Sequence, residues 1–292
     1  MSKPLVIAHR GACGYRPENT LESFELGIQQ GADGIEFDLV TTSDQQLIIR
    51  HENTLGETTD IASKSEFREF KRAGLVEGIE VSDWFTEDLD LGQIKTLRAV
   101  ERLGELRPGS AKFNGQFEIP TFNEILNASF IEGKILVCEI KQGTHINVLS
   151  NQIGKLVAEE IFKSPVQQRD VKLVIESFSF ELLLEARDEL QKLKVPAKYF
   201  FAVDEAEPDP AWLEELSTQV DGLSISTHLL FSESNWVEAA HSVGLVIWVY
   251  TARAEHAETS IDEYYEQFIT SGVDGIFADQ PDLLRRVLAD RG

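Results

Sequence analysis

Short apolar runs alternate with segments of helical periodicity along most of this 292-residue chain. Apolar runs of about four to eight residues are typical of buried strands, and apolar positions three and four apart are typical of helices. The runs that predict strands cover residues 5–8, 34–39, 47–51, 135–141, 173–178, 199–203, 222–226, 245–251 and 275–278. The segments that predict helices between the later strands cover residues 180–192, 212–216, 235–243, 262–271 and 281–288.

The first predicted helix has clear boundaries. Asn19 or Thr20 can cap its start, Leu21 and Phe24 follow at helical spacing, and Gly31 marks its end. Strands flank this helix on both sides, so we expect a parallel, right-handed strand–helix–strand unit.

The connection between the second and third strands is too short for a parallel crossover, so we expect the strand at 47–51 to return antiparallel. If Thr42 pairs with Leu47, the ladder places Asp38 opposite His51. The other eight strands can all be parallel. Eight parallel strands with intervening helices predict a TIM-type (β/α)8 barrel, an α/β fold, and a doubly wound open sheet is the alternative.

Residues 53–120 break the alternation of strands and helices. Charged residues, glycines and helix-like pieces at 64–73 and 91–103 occur there without a clear buried strand, which predicts an insertion that folds over the barrel mouth. The pair Trp84-Phe85 either contacts substrate or fills a small core of the insertion itself. A capping-box pattern from Thr121 to Glu124 then starts a helix. We therefore expect one barrel domain over residues 1–292 with an insertion at about 53–120.

Composition excludes several classes of protein. The chain has 50 acidic and 27 basic residues, a net charge of −23, which argues against a nucleic-acid-binding or anionic-membrane surface. No apolar run approaches the roughly 18–20 residues of a membrane helix, so we expect no membrane insertion. The strand at residue 5 leaves no room for a signal peptide, which favours a cytoplasmic protein, with a processed secreted form as the alternative. Two cysteines are too few for a disulfide framework, and Cys138 is expected in the core.

Three carboxylates lie inside predicted buried strands: Glu36, Asp38 and Glu139. Glu36 and Asp38 are two residues apart and share one face of their strand. The carboxyl ends of barrel strands converge on one site, so Glu139 can join them there. Three carboxylates suit a hard divalent cation, Mg²⁺ or Ca²⁺. The alternative is that each carboxylate pairs with a neighbouring Arg or Lys.

Cationic and imidazole groups follow the same strands. Lys141 shares a face with Glu139, and it either neutralises that glutamate or, with Arg10, clamps an anionic group such as a phosphate. His9 and His51 end two strands aimed at one site, which fits a general acid and a general base. Each of them could instead be a packing histidine. No role is assigned to the other histidines: His145, His228, His241 and His256.

Aromatic residues also end strands near this site. Trp248 and Tyr250 lie at the end of a late strand, where an aromatic side chain either forms an apolar wall for substrate or packs in the core.

The order and spacing of these motifs resemble the glycerophosphodiester phosphodiesterase family over nearly the whole chain. The motifs that carry the resemblance are His9-Arg10-Gly11, Pro17-Glu18-Asn19-Thr20, Glu36-x-Asp38, His51, Glu139-x-Lys141, Ser177-Phe178, Trp248 and Gly272-Val273-Asp274-Gly275-Ile276. Two positions depart from the family pattern. Thr251 follows Tyr250, and Glu176 precedes Ser177-Phe178, where it could add to a metal site or to polar packing. These departures concern the shape of the alcohol pocket.

The resemblance implies metal-dependent hydrolysis of a small-molecule glycerophosphodiester to glycerol 3-phosphate and an alcohol. It implies that Arg10, Lys141, Phe178 and Trp248 contact substrate. As the family is understood, the glycerol 2-hydroxyl attacks first to give a cyclic phosphate, with His9 and His51 as acid and base. A phospholipase-type enzyme acting on intact lipids and a non-catalytic ligand-binding barrel are the alternatives.

Overall fold

Eight parallel strands close into a barrel in the computed structural model, which describes residues 3–76, 79–141, 152–232 and 234–291. The strands of the described chain are β1 (Leu5–Ala8), β2 (Gly34–Thr41), β3 (Leu47–Ile49), β4 (Arg72–Val76), β5 (Ile79–Asp83), β6 (Ile135–Ile140), β7 (Lys172–Ser177), β8 (Lys198–Val203), β9 (Gly222–Ser226), β10 (Val246–Ala252) and β11 (Gly275–Ala278). The barrel order is β1-β2-β6-β7-β8-β9-β10-β11, and β11 pairs back to β1. Because β1 has a parallel partner on both sides, the open sheet is excluded and the predicted TIM-type barrel is confirmed.

Helices connect most of the barrel strands. The described helices are α1 (Leu21–Gln29), α2 (Leu91–Ile94), α3 (Pro108–Ala111), α4 (Phe122–Asn127), α5 (Ile153–Lys163), α6 (Phe180–Lys192), α7 (Pro210–Ser217), α8 (Thr227–Leu230), α9 (Trp236–Ser242), α10 (Ile261–Thr270) and α11 (Pro281–Asp290). Thr20 caps α1, and the capping box from Thr121 to Glu124 is present at α4. Within the described residues, every helix is too short or too polar to cross a bilayer.

The two faces of the barrel strands carry different side chains. On β2, Ile35, Phe37 and Leu39 point outward into the core beneath the helices, where Phe37 contacts Phe24 of α1 with ring centroids 5.8 Å apart. The alternate positions, Glu36 and Asp38, therefore point into the barrel. A polar inner layer is thus a direct consequence of the period of two in this strand.

The hairpin between β2 and β3 is antiparallel, as predicted, but its register differs by one residue. Thr41 pairs with Leu47, because the backbone N–H of Thr42 donates to the carbonyl of Gln46 at 3.0 Å. A three-residue turn results, and Gln45 takes a left-handed conformation with φ of 61°. The prediction that His51 lies opposite Asp38 is therefore wrong. Arg50 occupies that position, and its N–H donates to the Asp38 carbonyl at 3.0 Å.

The segment at 53–120 has a hydrophobic cluster of its own, which packs on one side of the β2–β3 hairpin through Val40 and Ile48. Trp84 belongs to this cluster, and its indole N–H donates to the Phe67 carbonyl at 2.6 Å. Phe85 is fully buried beneath the Arg72 guanidinium. Both aromatics therefore fill the segment's own core, which was one of the two expectations for them.

The two helix-like pieces of this segment, at 64–73 and 91–103, form shorter helices than expected. Residues 65–70 form only a 3-10 helix, and the chain then enters the hairpin of β4 and β5, where Gly74 opposes helix formation. Helix α2 stops at Ile94, because Ala99 bridges to Thr59 and Arg98 bridges to Glu118 in extended conformation. Non-local pairing overrides the local helical pattern at both places.

Candidate active site

Ionisable side chains fill the barrel interior at the carboxyl ends of its strands. Asp38 of β2, Glu139 of β6 and Glu176 of β7 are adjacent in register across three neighbouring strands. Apolar side chains, including Phe200, Trp248 and Phe277, fill the rest of the barrel interior. The site is therefore a charged layer in an otherwise apolar interior, an environment in which a charge is costly unless a partner compensates it.

The three carboxylates expected to bind metal converge. One oxygen from each of Glu36, Asp38 and Glu139 lies within 4.8 Å of the others, and all three residues are buried. Burial, followed by repulsion from Asp38 and Glu139, raises the pKa of Glu36 well above its ordinary value. Among the described residues, Oε1 of Glu36 is buried without a hydrogen-bond donor. If all three acids were ionised, they would therefore carry more negative charge than the surrounding residues neutralise.

Two cations face these acids. Lys141 Nζ lies 3.0 Å from Asp38 Oδ1 and 2.5 Å from Glu139 Oε1. Arg10 Nε lies 3.5 Å from Asp38 Oδ2. Burial alone would raise the pKa of Asp38, but Lys141 and other neighbouring cations hold it well below its ordinary value. The pairing considered as the alternative therefore exists at Asp38 and Glu139, and both cations also border the space where an anionic ligand would meet the acids.

The backbone that follows β1 takes strained conformations where it contacts the acids. Arg10 and Asn19 have φ of 50° and 57°, a left-handed conformation that is uncommon for residues other than glycine. The strained backbone carries specific contacts, because the Arg10 N–H donates to Glu36 Oε2 and the Asn19 amide donates to Asp38 Oδ2, both at 2.8 Å. Gly11 is required nearby, since a Cβ would lie 2.5 Å from the backbone of Ser23. Strain of this kind is typical of functional sites.

Each candidate histidine is held through Nδ1 by a carboxylate. His9 Nδ1 lies 2.7 Å from Asp279 Oδ1, and His51 Nδ1 lies 2.6 Å from Glu52 Oε1. The contact with the histidine ring, followed by the contact with an arginine, keeps the pKa of both carboxyls low despite burial, so each accepts the N–H of the ring. In the neutral form of either ring, Nε2 is then left with a lone pair that can accept a proton. Burial, followed by the charge of Arg10, lowers the pKa of His9 to about 4, so this ring is neutral at neutral pH.

Arginines from the 53–120 segment support the same carboxylates. Arg107 contacts Asp279 Oδ2 at 2.5 Å, and Arg102 contacts both oxygens of Glu52 at 2.8 and 2.7 Å. Sequence reasoning missed these four residues, since no local pattern marks a side chain that reaches the site from an irregular loop. Glu52 follows His51 directly and Asp279 follows the last strand of the barrel, which are the only sequence signals for them.

The aromatic residues expected to contact substrate lie in different environments, one at the surface and one in the barrel interior. Phe178, which follows β7, is 46% exposed and contacts Tyr250 edge to face at 5.6 Å. Lys141 Nζ lies 5.5 Å from the centre of its ring, so Phe178 borders the charged layer. Trp248 is 3% exposed and packs between Phe200 and Phe277 in the barrel interior. Its contact with substrate remains a prediction. Of the histidines without an assigned role, His145 lies outside the described residues.

A divalent cation fits the three carboxylates. Ligand oxygens lie about 2.0–2.6 Å from Mg²⁺ or Ca²⁺, so oxygens of one coordination sphere lie up to about 4–5 Å apart. The oxygens of Glu36, Asp38 and Glu139 meet this condition, and the unpaired Oε1 of Glu36 would gain a partner. Glu176 does not belong to this cluster. Its Oε2 accepts a hydrogen bond from Ser224 at 2.5 Å, which corresponds to the polar packing considered for it.

Glu176 makes stability depend on pH. Burial, followed by the charge of Glu139, raises its pKa from 4.5 to about 8. The unfolded chain therefore loses this proton at lower pH than the folded chain does, and stability falls as pH rises from 4.5 to 8. We expect Glu176→Gln to remove this loss, which is on the order of several kcal/mol. Thermal unfolding of chelator-treated wild type and variant across this range tests it. A difference in melting temperature that is independent of pH would contradict the expectation.

Comparisons with known proteins identify relatives of the chain. A model of the glycerophosphoryl diester phosphodiesterase family matches residues 9–283. A glycerophosphodiester phosphodiesterase of Caldanaerobacter subterraneus is 27% identical over 99% of this chain and 100% of its own. One from Bacillus subtilis is 28% identical over 97% of this chain and 86% of its own.

Solved structures show the same fold. A putative glycerophosphoryl diester phosphodiesterase from Silicibacter pomeroyi superimposes with a TM-score of 0.75, at 24% identity, covering 100% of this chain and 95% of its own. A phosphodiesterase from Oleispira antarctica, solved with its product sn-glycerol-3-phosphate, gives a TM-score of 0.67 at 23% identity, covering 98% and 97%.

Proposed function

This chain belongs to the glycerophosphoryl diester phosphodiesterase family, and we propose that it forms glycerol 3-phosphate and an alcohol with a divalent cation and two histidines. As a member of that family it is a hydrolase of glycerophosphodiesters. The proposal concerns the products, the cation and the roles of the site residues. The solved complex of the Oleispira antarctica enzyme with sn-glycerol-3-phosphate supports the choice of product.

The observation that carries the proposal is the convergence of three buried carboxylates beside two cations. Glu36, Asp38 and Glu139 would hold Mg²⁺ or Ca²⁺, which stabilises negative charge on phosphoryl oxygens when bound. Arg10 and Lys141 border the same acids and are suited to hold the two non-bridging oxygens of a phosphodiester. A phosphate placed there would contact Arg10 and Lys141, and a bound cation would supply the positive charge that the three acids lack.

The two histidines would move protons on either side of the phosphate. In the neutral ring His9 donates through Nδ1 to Asp279, which leaves the lone pair of Nε2 to accept a proton from the attacking hydroxyl. His51 has the same arrangement with Glu52, so the geometry alone allows the two rings to exchange these roles. One ring, in its neutral form, would take the proton of the nucleophile on Nε2, while the other, protonated on both nitrogens, would give its Nε2 proton to the leaving oxygen. The roles would reverse when water attacks. A tethered glycerol hydroxyl gains an effective-molarity advantage of several kcal/mol as the first nucleophile.

The proposed substrate is a small molecule. Phe178, which is exposed, and Tyr250, which is half-buried, form an aromatic pair next to Lys141. This pair is suited to the alcohol portion, and Trp248 remains a further candidate there. The acidic net charge of −23 supports the expectations of no nucleic-acid partner and no membrane insertion. Contacts of the 53–120 segment with Glu52 and Asp279 support one domain with an insertion. A cytoplasmic location also remains a prediction.

Product analysis tests this function. We expect the Mg²⁺- or Ca²⁺-supplemented protein to convert glycerophosphocholine to choline and glycerol 3-phosphate, which phosphorus NMR distinguishes from the diester and from a cyclic phosphate. Phosphatidylcholine serves as the matched substrate with acyl chains, and we expect no turnover of it. Preferential cleavage of the intact lipid would contradict the proposed substrate class.

A further inference from the structure

Both candidate acid–base histidines are held by the same sequence of contacts. In each case a carboxylate holds Nδ1 of the ring, and a guanidinium from the 53–120 segment holds the carboxylate. His51 is linked through Glu52 to Arg102, with contacts of 2.6 Å and then 2.7 and 2.8 Å. His9 is linked through Asp279 to Arg107, with contacts of 2.7 and 2.5 Å. The two arginines are only five residues apart, although the carboxylates belong to distant parts of the barrel.

The loop that carries the arginines is fixed to its own segment. The carboxylate of Glu101 accepts from the Leu103 N–H at 2.8 Å and from the Ser110 hydroxyl at 2.6 Å. The backbone N–H of Glu101 donates to the Asn114 side chain at 2.8 Å. The conformation of the loop is thus held by contacts within residues 101–114, so the loop can present its two guanidiniums to the barrel residues in a fixed geometry.

Arg102 joins two parts of the site. Its Nη2 lies 2.7 Å from Glu18 Oε1 as well as 2.7 Å from Glu52 Oε2. Glu18 in turn lies 3.0 Å from Arg10 Nη1, and both acids are largely removed from solvent. A planar guanidinium can hold two carboxylates at fixed angles, whereas an ammonium group acts as a point charge. Arg102 therefore fixes the orientation of Glu52 and, through it, of the His51 ring.

Arg107 has a similar role with more support around it. Its Nε lies 2.7 Å from Glu255 Oε1, and Nη1 donates to the Cys13 carbonyl at 3.2 Å. Asp279 also has Arg253 at 3.3 Å, so it keeps a cationic partner when Arg107 is removed. Loss of Arg107 should consequently disturb His9 less than loss of Arg102 disturbs His51.

We infer that the loop of residues 101–107 positions both histidines, Arg102 acting on His51 through Glu52 and Arg107 acting on His9 through Asp279. This inference rests on the proposed function, because it assigns to the 53–120 segment the task of orienting the acid–base pair. The two arginines are positioning residues, since their contacts are with the carboxylates and not with the reacting atoms.

Imidazole ¹⁵N NMR tests the inference independently of turnover. In wild type we expect each ring, in its neutral form, to carry the proton on Nδ1. Arg102→Met should move the His51 signals towards a mixture of tautomers and leave those of His9 in place, and Arg107→Met should do the reverse to a smaller extent. His51→Ala and His9→Ala assign the signals. Unchanged spectra in both arginine variants would overturn the inference.

Kinetics supplies the second readout. We expect Arg102→Met to lower kcat about 10- to 100-fold, the usual effect of losing a partner that orients a functional histidine. The same change in a His51→Ala background should cost little more, because Arg102 acts through His51. Arg102→Lys keeps the positive charge but not the two parallel hydrogen bonds to Glu52, so its kcat should also be lower than that of wild type. The matched control is Arg98→Met, since Arg98 belongs to the same segment but contacts Glu118 and nearby carbonyls.

The outcomes separate the inference from the proposed function. An active wild type with arginine variants that match Arg98→Met in kcat would overturn the inference alone. If the losses of kcat from Arg102→Met and His51→Ala added fully in the double variant, the inference would also be overturned, since such additivity would indicate a purely structural effect of Arg102. If wild type fails to hydrolyse glycerophosphocholine, the proposed function fails, and the NMR spectra still decide whether the loop orients the rings. Arg107→Lys replaces Arg107→Met if the latter does not fold.

Discussion

His51→Ala is expected to fold normally and to lose on the order of 10²–10⁴ in turnover of glycerophosphocholine. The same loss is expected for His9→Ala. Each ring would transfer a proton at the reacting phosphate, which the methyl group of alanine cannot do. Because the two rings act as a unit, the double variant should fall little below the worse single variant. Steady-state kinetics with thermal unfolding of each variant provides the measurement.

A matched control is available at the other end of the barrel. His241 also pairs with a carboxylate, that of Asp274 at 2.9 Å. Asp274 directly precedes β11, so it lies at the end of the barrel opposite the charged layer. His241→Ala should keep wild-type turnover. The catalytic assignment would be wrong if His51→Ala stayed folded and kept more than about a tenth of its rate, given the size of effect expected of a general acid or base. Losses of turnover in proportion to losses of melting temperature would indicate packing roles instead.

Glu36→Gln is expected to abolish the response to the cation and yet to stabilise the cation-free protein. Glu36 is buried beside Asp38 and Glu139, which raises its pKa, so an uncharged amide relieves repulsion in the absence of the cation. Wild type should gain melting temperature on addition of Mg²⁺ or Ca²⁺, because the cation binds the folded site. The variant should lose that gain in melting temperature. Its turnover should fall further than it would on loss of a partner that acts indirectly, which costs about 10- to 100-fold. The distinctive result is a change of sign in the difference in melting temperature. Relative to wild type, the variant should melt at a higher temperature without the cation and at a lower temperature with it.

Glu160→Gln controls for the removal of a desolvated glutamate. Glu160 lies on α5, outside the barrel, and burial raises its pKa to about 7. This variant should also be more stable than wild type at neutral pH, but it should retain the full response to the cation. A Glu36→Gln protein with wild-type turnover and wild-type metal content would show that Glu36 is not a ligand.

Most of the barrel could be predicted because its strands are encoded locally. The strands at 222–226 and 275–278 and the helix at 180–192 have the predicted bounds, since apolar runs and helical periodicity are short-range signals. The 53–120 segment was harder, because residues near Ala99 pair with Thr59 and Phe117 far along the chain. The register of the β2–β3 hairpin depended on the turn around Gln45, whose left-handed conformation has no strong sequence signal.

The site residues also divide into those that a local sequence pattern predicts and those that depend on the tertiary fold. The convergence of Glu36, Asp38 and Glu139 followed from strand periodicity and from the rule that barrel strands end at one site. Arg102 and Arg107 could not be found in this way, because their role is defined by carboxylates far along the chain. Glu52 is 50 residues from Arg102, and Asp279 is 172 residues from Arg107. A side chain on an irregular loop acquires its partner only through the tertiary fold.

The most direct test of cation-dependent hydrolysis is the release of glycerol 3-phosphate from glycerophosphocholine by chelator-treated protein, before and after Mg²⁺ or Ca²⁺ is added back. We expect no release from the chelator-treated protein and restored release on addition of either cation, because Glu36, Asp38 and Glu139 supply only oxygen ligands. The same titration with Glu36→Gln should restore nothing. Undiminished release by the fully chelated wild type would contradict a metal role for the three carboxylates.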